Sequence, residues 1–343
     1  MKTKDFSFEL PAELIAQAPP ETRGASRLMI LDPAQHSREH ARFQDFVEQV
    51  DPNTLLVFND SRVRKARVFG ILATGGKLEV IFLRRWDEHR WECLLNKSKR
   101  LKEGQVIHFP EGREGVIASS SGNVRTLTFA QGVEESWLDK YGHIPLPPYI
   151  RRPDNDADAE RYQTVYAKEV GSAAAPTAGL HFTQAALERL RQRGVETATV
   201  TLHVGLGTFL PVRAEDIRDH EMHREFYRIE VETAERLNAA KRAGRPILAV
   251  GTTSLRTLEA AWSGTEFRAG EDSTDIFIYP GYRFGAVDQL FTNFHTPEST
   301  LLMLVAAFGG WEFIRESYEE AVKEHYRFFS YGDAMWLKSR TAP

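Results

Sequence analysis

The residues with the most evident chemical potential sit in Ala173-Ala174-Ala175-Pro176-Thr177-Ala178-Gly179-Leu180-His181-Phe182. Small side chains let backbone and ligand approach closely, Pro176 fixes one φ, Gly179 opens conformations that other residues resist, and the run delivers a histidine just before a helix. That is the composition of a site, although a small-residue loop carrying a structurally satisfied histidine is the plain alternative. A second histidine, His203, closes the run Val195–Val204. There Thr197, Thr199, Thr201 and His203 alternate with Ala198, Val200, Leu202 and Val204, so a strand would point the histidine away from the apolar side. Asn59-Asp60-Ser61-Arg62-Val63-Arg64 puts polar and basic groups at a strand's carboxyl end, where open α/β sheets build sites; an Asx turn is the structural alternative. Gly251-Thr252-Thr253-Ser254 lies between an apolar strand and a helix, a place for a carboxylate or phosphate or simply for a capped helix. Gly205-Leu206-Gly207-Thr208-Phe209 resembles half a dinucleotide fingerprint, but Leu210 stands where a third glycine is required.

These residues need a frame. The 343-residue length suggests two domains, and 42% hydrophobic residues supply a sizeable core. Cys93, the single cysteine, excludes an intramolecular disulfide and any cysteine-based zinc spacing. With no long apolar run, a soluble cytoplasmic protein is expected. The net charge of −4 argues against indiscriminate nucleic-acid binding, but it is unevenly spread. Residues 62–103 hold 12 Lys/Arg against 5 Asp/Glu, a local charge of +7 that leaves −11 for the remainder.

Along the chain, Arg27–Leu31, Thr54–Phe58, Val195–Val204, Pro246–Val250, Asp275–Gly281 and Gln289–Phe294 read as strands. Phe43–Val50, Thr233–Ala243, Leu255–Trp262 and Trp311–His325 read as helices, with Thr183 and Ser299 as N-caps of two more. Between them the rhythm changes. Lys65–Leu72, Lys77–Arg85, Arg90–Asn96, Gln105–Phe109, Gly115–Ala118 and Val124–Phe129 are six short strands, the first two joined through Thr74-Gly75-Gly76, and they predict a small barrel. Its outer surface would display basic residues, with Trp86 and Trp91 as stacking surfaces or as core. The stiff run His143–Pro153 then leads back. The expectation is an α/β protein: residues 1–61 and 151–343 as a larger barrel-like catalytic domain, and 62–150 as an inserted antiparallel β-barrel with its proline-rich return linker.

Taken in order, Phe58–Val63, His143–Ile150, Tyr162–Tyr166, Ala175–Phe182, Thr201–Phe209, Ala249–Ser254, Ile278–Tyr282, Thr292–His295 and Tyr326–Met335 closely resemble the S-adenosylmethionine:tRNA ribosyltransferase-isomerases of queuosine synthesis. The resemblance spans nearly the whole chain. It departs at Lys65, where the family usually has proline, and at Ser172 and Thr296. It implies transfer and isomerisation of the ribosyl part of S-adenosylmethionine onto 7-aminomethyl-7-deazaguanine at the tRNA wobble position, giving epoxyqueuosine and releasing adenine and methionine. S-adenosylmethionine is then a consumed co-substrate, with no true cofactor, no metal and no membrane partner, and a monomer is expected. It also implies a larger α/β barrel-like domain with a smaller inserted β-barrel.

That chemistry needs a base for the acidified C5′ hydrogen beside the sulfonium, for which His181 and His203 are candidates. It needs a proton donor for departing adenine, for which Asp60 or Asp333 are candidates. Arg256 suits the methionine carboxylate, and Glu259 or Asp275 the ribose hydroxyls or the ammonium. Phe182, Phe209, Tyr279 and Phe294 are candidates to face adenine or the sulfonium, with Thr177, Gly179 and His295 in the same substrate-binding set. Arg62, Arg64, Arg67, Lys97, Lys99 and Arg100 are the expected tRNA phosphate contacts. Two rival readings remain: a metal-dependent hydrolase built on Asp219, His220 and His223 with His181 or His203, and a non-catalytic RNA-binding module.

Overall fold

The computed structural model describes residues 1–96, 100–122, 124–205 and 212–341. The chain opens with β1 (Arg27–Asp32), β2 (Ser37–Arg42), α1 (Phe43–Gln49), β3 (Leu55–Asn59) and β4 (Ser61–Val63). There follow β5 (Arg67–Leu72), β6 (Lys77–Asp87), β7 (Arg90–Leu95), β8 (Val106–His108), β9 (Glu114–Ser121), β10 (Val124–Phe129) and α2 (Glu135–Tyr141). After α3 (Asp156–Arg161) come β11 (Glu169–Ser172), α4 (Gln184–Gln192), β12 (Glu196–Leu202), β13 (Glu225–Ile229), α5 (Val231–Arg242), β14 (Ile247–Val250) and α6 (Thr252–Ala261). The chain ends with β15 (Gly270–Thr274), β16 (Gln289–Asn293), α7 (Thr300–Gly309), α8 (Trp311–Lys323) and β17 (Ala334–Leu337).

Among the described residues, nine strands form one mixed sheet in the order β15-β13-β12-β3-β14-β16-β17-β1-β2. Its centre, β12, β3, β14 and β16, is parallel throughout, so four carboxyl ends emerge along one edge. Sequence dictates this placement. Leu55-Leu56-Val57-Phe58 and Ile247-Leu248-Ala249-Val250 are apolar at every position, which suits only strands covered on both faces. One face packs on α5, α6, α7 and α8 through Leu237, Leu255, Leu302 and Ile314. The other packs on α1 and α4 through Phe46 and Leu190, and on Phe182 just ahead of α4.

The six strands read from the turn rhythm close into a barrel, β10-β7-β6-β5-β8-β9. Their side chains alternate between a core built on Phe82, Trp91, Phe109, Phe129 and Trp137 and the outside. Entry and exit lie side by side. Arg67 and His143 exchange backbone hydrogen bonds at 3.1 and 2.8 Å, so the insertion leaves the body and returns at one place. Here β4 pairs with β11 in a separate two-stranded ribbon.

Capping follows the sequence: Thr183 Oγ1 accepts from the Ala186 amide at 3.0 Å and Ser299 Oγ from Leu302 at 3.1 Å. Other elements differ. Asp275–Gly281 is not a strand; Gly270–Thr274 pairs with β13, and Thr274 Oγ1 then takes the Ile276 amide at 3.1 Å, ending the ladder. Helix α6 begins at Thr252, because Gly251 at φ +92° turns the chain straight from β14 into the helix. The polar strand β2 has no apolar alternation to betray it, and β17 enters the sheet between β1 and β16. No helix among the described residues is long and apolar enough to cross a membrane.

Candidate active site

At the carboxyl edge of the parallel strands lies a cleft of about 320 Å³, where open α/β sheets place ligands. The small-residue run contributes Ala175, Pro176, Thr177 and Ala178. Gly251, Thr252 and Thr253 come from the start of α6, Asn293 and His295 from the end of β16, and Ser299 from the start of α7. Tyr149, on the return linker, stacks on Phe329 with ring centroids 4.1 Å apart, and both border the cleft. Two helix N-termini therefore point into one space, and α6 has no side-chain cap on its first-turn amides. Glu298 is the one acidic residue among the described lining, which includes no Lys or Arg. Burial pushes His295 down to about 3, so it lines the cleft as a neutral ring, bonded to Thr292 Oγ1 at 3.1 Å.

His181 lies behind this cleft rather than in it. It ends the 3₁₀ turn Thr177–His181 and is buried against Phe43 and Phe291. Thr177 Oγ1 donates to Asn293 Oδ1 at 3.1 Å, which turns the amide nitrogen of Asn293 toward His181 Nε2 at 3.0 Å. Nε2 is thus the acceptor, and Nδ1–H donates to Ser26 Oγ at 2.6 Å. Desolvation pushes His181 down to about 4. A relay from Ser26 through His181 and Asn293 reaches the cleft at Thr177. Gly179 supports this turn without meeting the cleft: a Cβ there would fall 2.0 Å from Tyr166 Oη.

His203 and Asp60 lie on the opposite side of β12, both near Glu169 and Arg228. Thr201 Oγ1 donates to Asp60 Oδ1 at 2.7 Å, and the Asp60 carbonyl accepts the amides of Lys168 and Glu169 at 2.8 and 3.2 Å. Burial pushes the Asp60 carboxyl up, against the Thr201 hydrogen bond. His203 packs on Gly171, where a Cβ would come within 2.7 Å of its Cε1. Burial pushes this ring down, and its Nδ1 has no hydrogen-bond partner among the described residues. Glu169 and Arg228, paired at 3.1 Å, complete the cluster. Val204, next to His203 in the chain, lines the cleft. The four residues from Gly171 to Ala175 span at most about 14 Å. Cleft and cluster are two sides of one strand end.

The remaining expected residues divide by the partners they have. Arg256 is buried and paired with Glu225 across the end of β13, while its Nη2 has no hydrogen-bond partner among the described residues. It borders a cavity of about 30 Å³ with His220 and His223; Leu301 lines both this cavity and the cleft. Glu259 is committed elsewhere, accepting the Gly285, Ala286 and Val287 amides and the Tyr282 hydroxyl, so it holds a loop. Asp333 likewise accepts the Arg27 and Arg327 amides at 3.0 and 2.8 Å and ties the last strand to the first. Phe182 and Phe294 are fully buried among other rings and present no face to a ligand. Tyr279 packs on Phe277, and Asp275 is exposed opposite Arg224.

Of the basic set, Arg64 is buried, grips Glu135 with Nε and Nη2 at 2.6–2.9 Å and lies over Trp91. Arg67 is held by Glu79 and the Leu146 carbonyl. Both weld the barrel together instead of facing outward. Arg62 and Arg100 are exposed. Lys97, Lys99 and Phe209 lie outside the described residues. Sequence reasoning did not single out Glu298, Thr201, Glu169 or Arg228 as site residues, because nothing local marks a residue whose partner is distant in the chain. Among the described residues no three His, Cys, Asp or Glu side chains converge as a metal site, the His220 and His223 pair included.

Comparison with known proteins gives this geometry its relatives. The family described as Queuosine biosynthesis protein matches residues 3–337. S-adenosylmethionine:tRNA ribosyltransferase-isomerase from Treponema denticola is 52% identical over 98% of this chain and 100% of its own. The proteins of that name from Trichlorobacter lovleyi and Clostridioides difficile are 51% and 49% identical, each with 98% of this chain and 100% of theirs covered. The crystal structure of S-adenosylmethionine tRNA ribosyltransferase from Thermotoga maritima aligns with a TM-score of 0.57 at 37% identity, covering 97% of this chain and 99% of that one. With whole-length identity near one half and the same α/β body and β-barrel, the chain belongs to the queuosine biosynthesis family of S-adenosylmethionine:tRNA ribosyltransferase-isomerases.

Proposed function

We propose that the protein transfers and isomerises the ribosyl moiety of S-adenosylmethionine onto 7-aminomethyl-7-deazaguanine at the tRNA wobble position, yielding epoxyqueuosine-tRNA, adenine and methionine. The observation that carries the reading, beside the family, is the strand end at β12. A cleft with a carboxylate and two helix starts lies on one side of it, and a proton-transfer cluster on the other. A zwitterion bearing a sulfonium matches such a cleft: Glu298 suits the cationic groups, while the α6 amides suit the carboxylate. His203, neutral near pH 7 with Nδ1 unoccupied, is the base for the C5′ hydrogen. Asp60, whose proton affinity is raised by burial, is the group to protonate adenine as it leaves. His181 is a positioning residue, acting through Asn293 and Thr177.

The inserted barrel, residues 62–150, is the RNA-binding lobe in this reading, and the reaction needs no metal. Incubation with S-adenosylmethionine and tRNA carrying the aminomethyl base should release adenine and methionine stoichiometrically and leave an epoxide-bearing nucleoside, with undiminished rate in a chelator. RNA binding without adenine release would favour a non-catalytic module, and loss of rate in chelator a metal enzyme.

A further inference from the structure

Two of the most exposed large aromatic side chains belong to different lobes and meet over one arginine. Trp86 ends β6 of the barrel and is 47% exposed; Phe226 lies in β13 of the body and is 42% exposed. The Arg84 guanidinium lies over both rings, 3.9 Å from the Trp86 centroid and 4.4 Å from that of Phe226. The Arg84 side chain makes no hydrogen bond or ion pair with any described residue. Arg85, next to it, is exposed. An arginine held over two half-exposed rings with no side-chain hydrogen bond to an acid adds little as a device of stability, because the rings remain wet.

The position of Phe226 gives the platform a direction. The His203 amide donates to the Phe226 carbonyl at 3.1 Å, continuing the register in which Leu202 faces Tyr227 and Thr201 faces Arg228. Opposed residues of an antiparallel pair share a face, so Phe226 stands beside His203 on the side that holds Asp60 and Thr201. The surface thus leads from the basic barrel into the proton-transfer cluster.

We propose that Trp86, Arg84 and Phe226 form a stacking platform for an unpaired nucleobase of the RNA substrate, delivering the anticodon loop to His203. This rests on the ribosyl-transfer reading. The rings supply sequence-tolerant π surfaces and Arg84 a charge for the adjoining phosphate, a combination that binds single-stranded RNA and gains nothing from a closed duplex.

The test uses the full chain, an anticodon stem–loop RNA with 2-aminopurine in its loop, and a fully paired duplex of equal length. Trp86→Ala and Phe226→Ala should each weaken stem–loop binding by about tenfold or more and leave duplex binding within about twofold. Trp86→Phe should retain loop affinity, which keeps the test decisive if an alanine variant folds poorly. Wild type and Trp86→Phe should quench the 2-aminopurine, and Trp86→Ala should not. Unchanged loop affinity in both alanine variants, or equal losses on loop and duplex, would overturn the platform. Binding of neither RNA by the wild type would overturn the ribosyl-transfer reading itself.

Discussion

His181 Nε2 accepts from Asn293 Nδ2 at 3.0 Å, and that contact fixes the tautomer and takes the ring out of direct proton transfer. His181→Ala should therefore act first on stability. It strands Ser26 Oγ and leaves Asn293 Nδ2 only its 3.4 Å bond to the Asp333 carbonyl, at about 1–3 kcal/mol for each group that stays unsatisfied. Denaturant midpoints should fall accordingly. Asn293→Ala, which leaves the imidazole in place, should lower turnover as much as His181→Ala does; full activity in Asn293→Ala would break the relay.

Stability should depend on pH below neutrality with a definite sign. Burial holds His181 and His295 at about 4 and about 3, below their ordinary 6.5. The unfolded chain therefore binds more protons between pH 6.5 and 4. The stabilisation is complete above pH 6.5 and is lost as pH falls toward the folded values, of order a few kcal/mol for each ring. Unfolding at stepped pH measures the slope, and His295→Gln should flatten it.

His203→Gln keeps a polar side chain of similar reach but removes the proposed base. Adenine release should fall at least about 100-fold, with stem–loop affinity within about twofold. Wild-type turnover in this variant would assign proton abstraction elsewhere.

The two kinds of arginine in and beside the barrel should separate under salt. Arg62→Gln and Arg100→Gln should weaken RNA binding and each reduce the log–log salt slope by about 1 if it meets a phosphate. Arg64→Gln should leave the slope unchanged and lower stability by about 1–2 kcal/mol, because its charged hydrogen bonds to Glu135 are part-buried.

Glu298→Gln removes the acidic group from the described lining of the cleft. The KM for S-adenosylmethionine should rise severalfold while RNA affinity holds. An unchanged KM would move the cationic end of the ligand away from α7.

The sequence by itself determined the elements whose information is local. Continuous apolar runs specify the buried parallel strands, turn residues specify the six strands of the barrel, and Thr183 and Ser299 specify helix starts, because propensity, periodicity and capping act over a few residues. It also marked Ala175–Ala178 as cleft-forming, since small residues beside a proline and a histidine are a local signature. Only the tertiary structure decided which polar groups were already spoken for. Glu259 and Asp60 are both buried carboxylates at element ends, yet one accepts three backbone amides and a hydroxyl while the other's carboxylate has Thr201, on the strand face that carries His203. Arg62 and Arg64 are two residues apart, but one faces water and the other is clamped by Glu135. Hydrogen-bond satisfaction is settled by partners that are often tens or more than a hundred residues away, and no window along the chain contains that information.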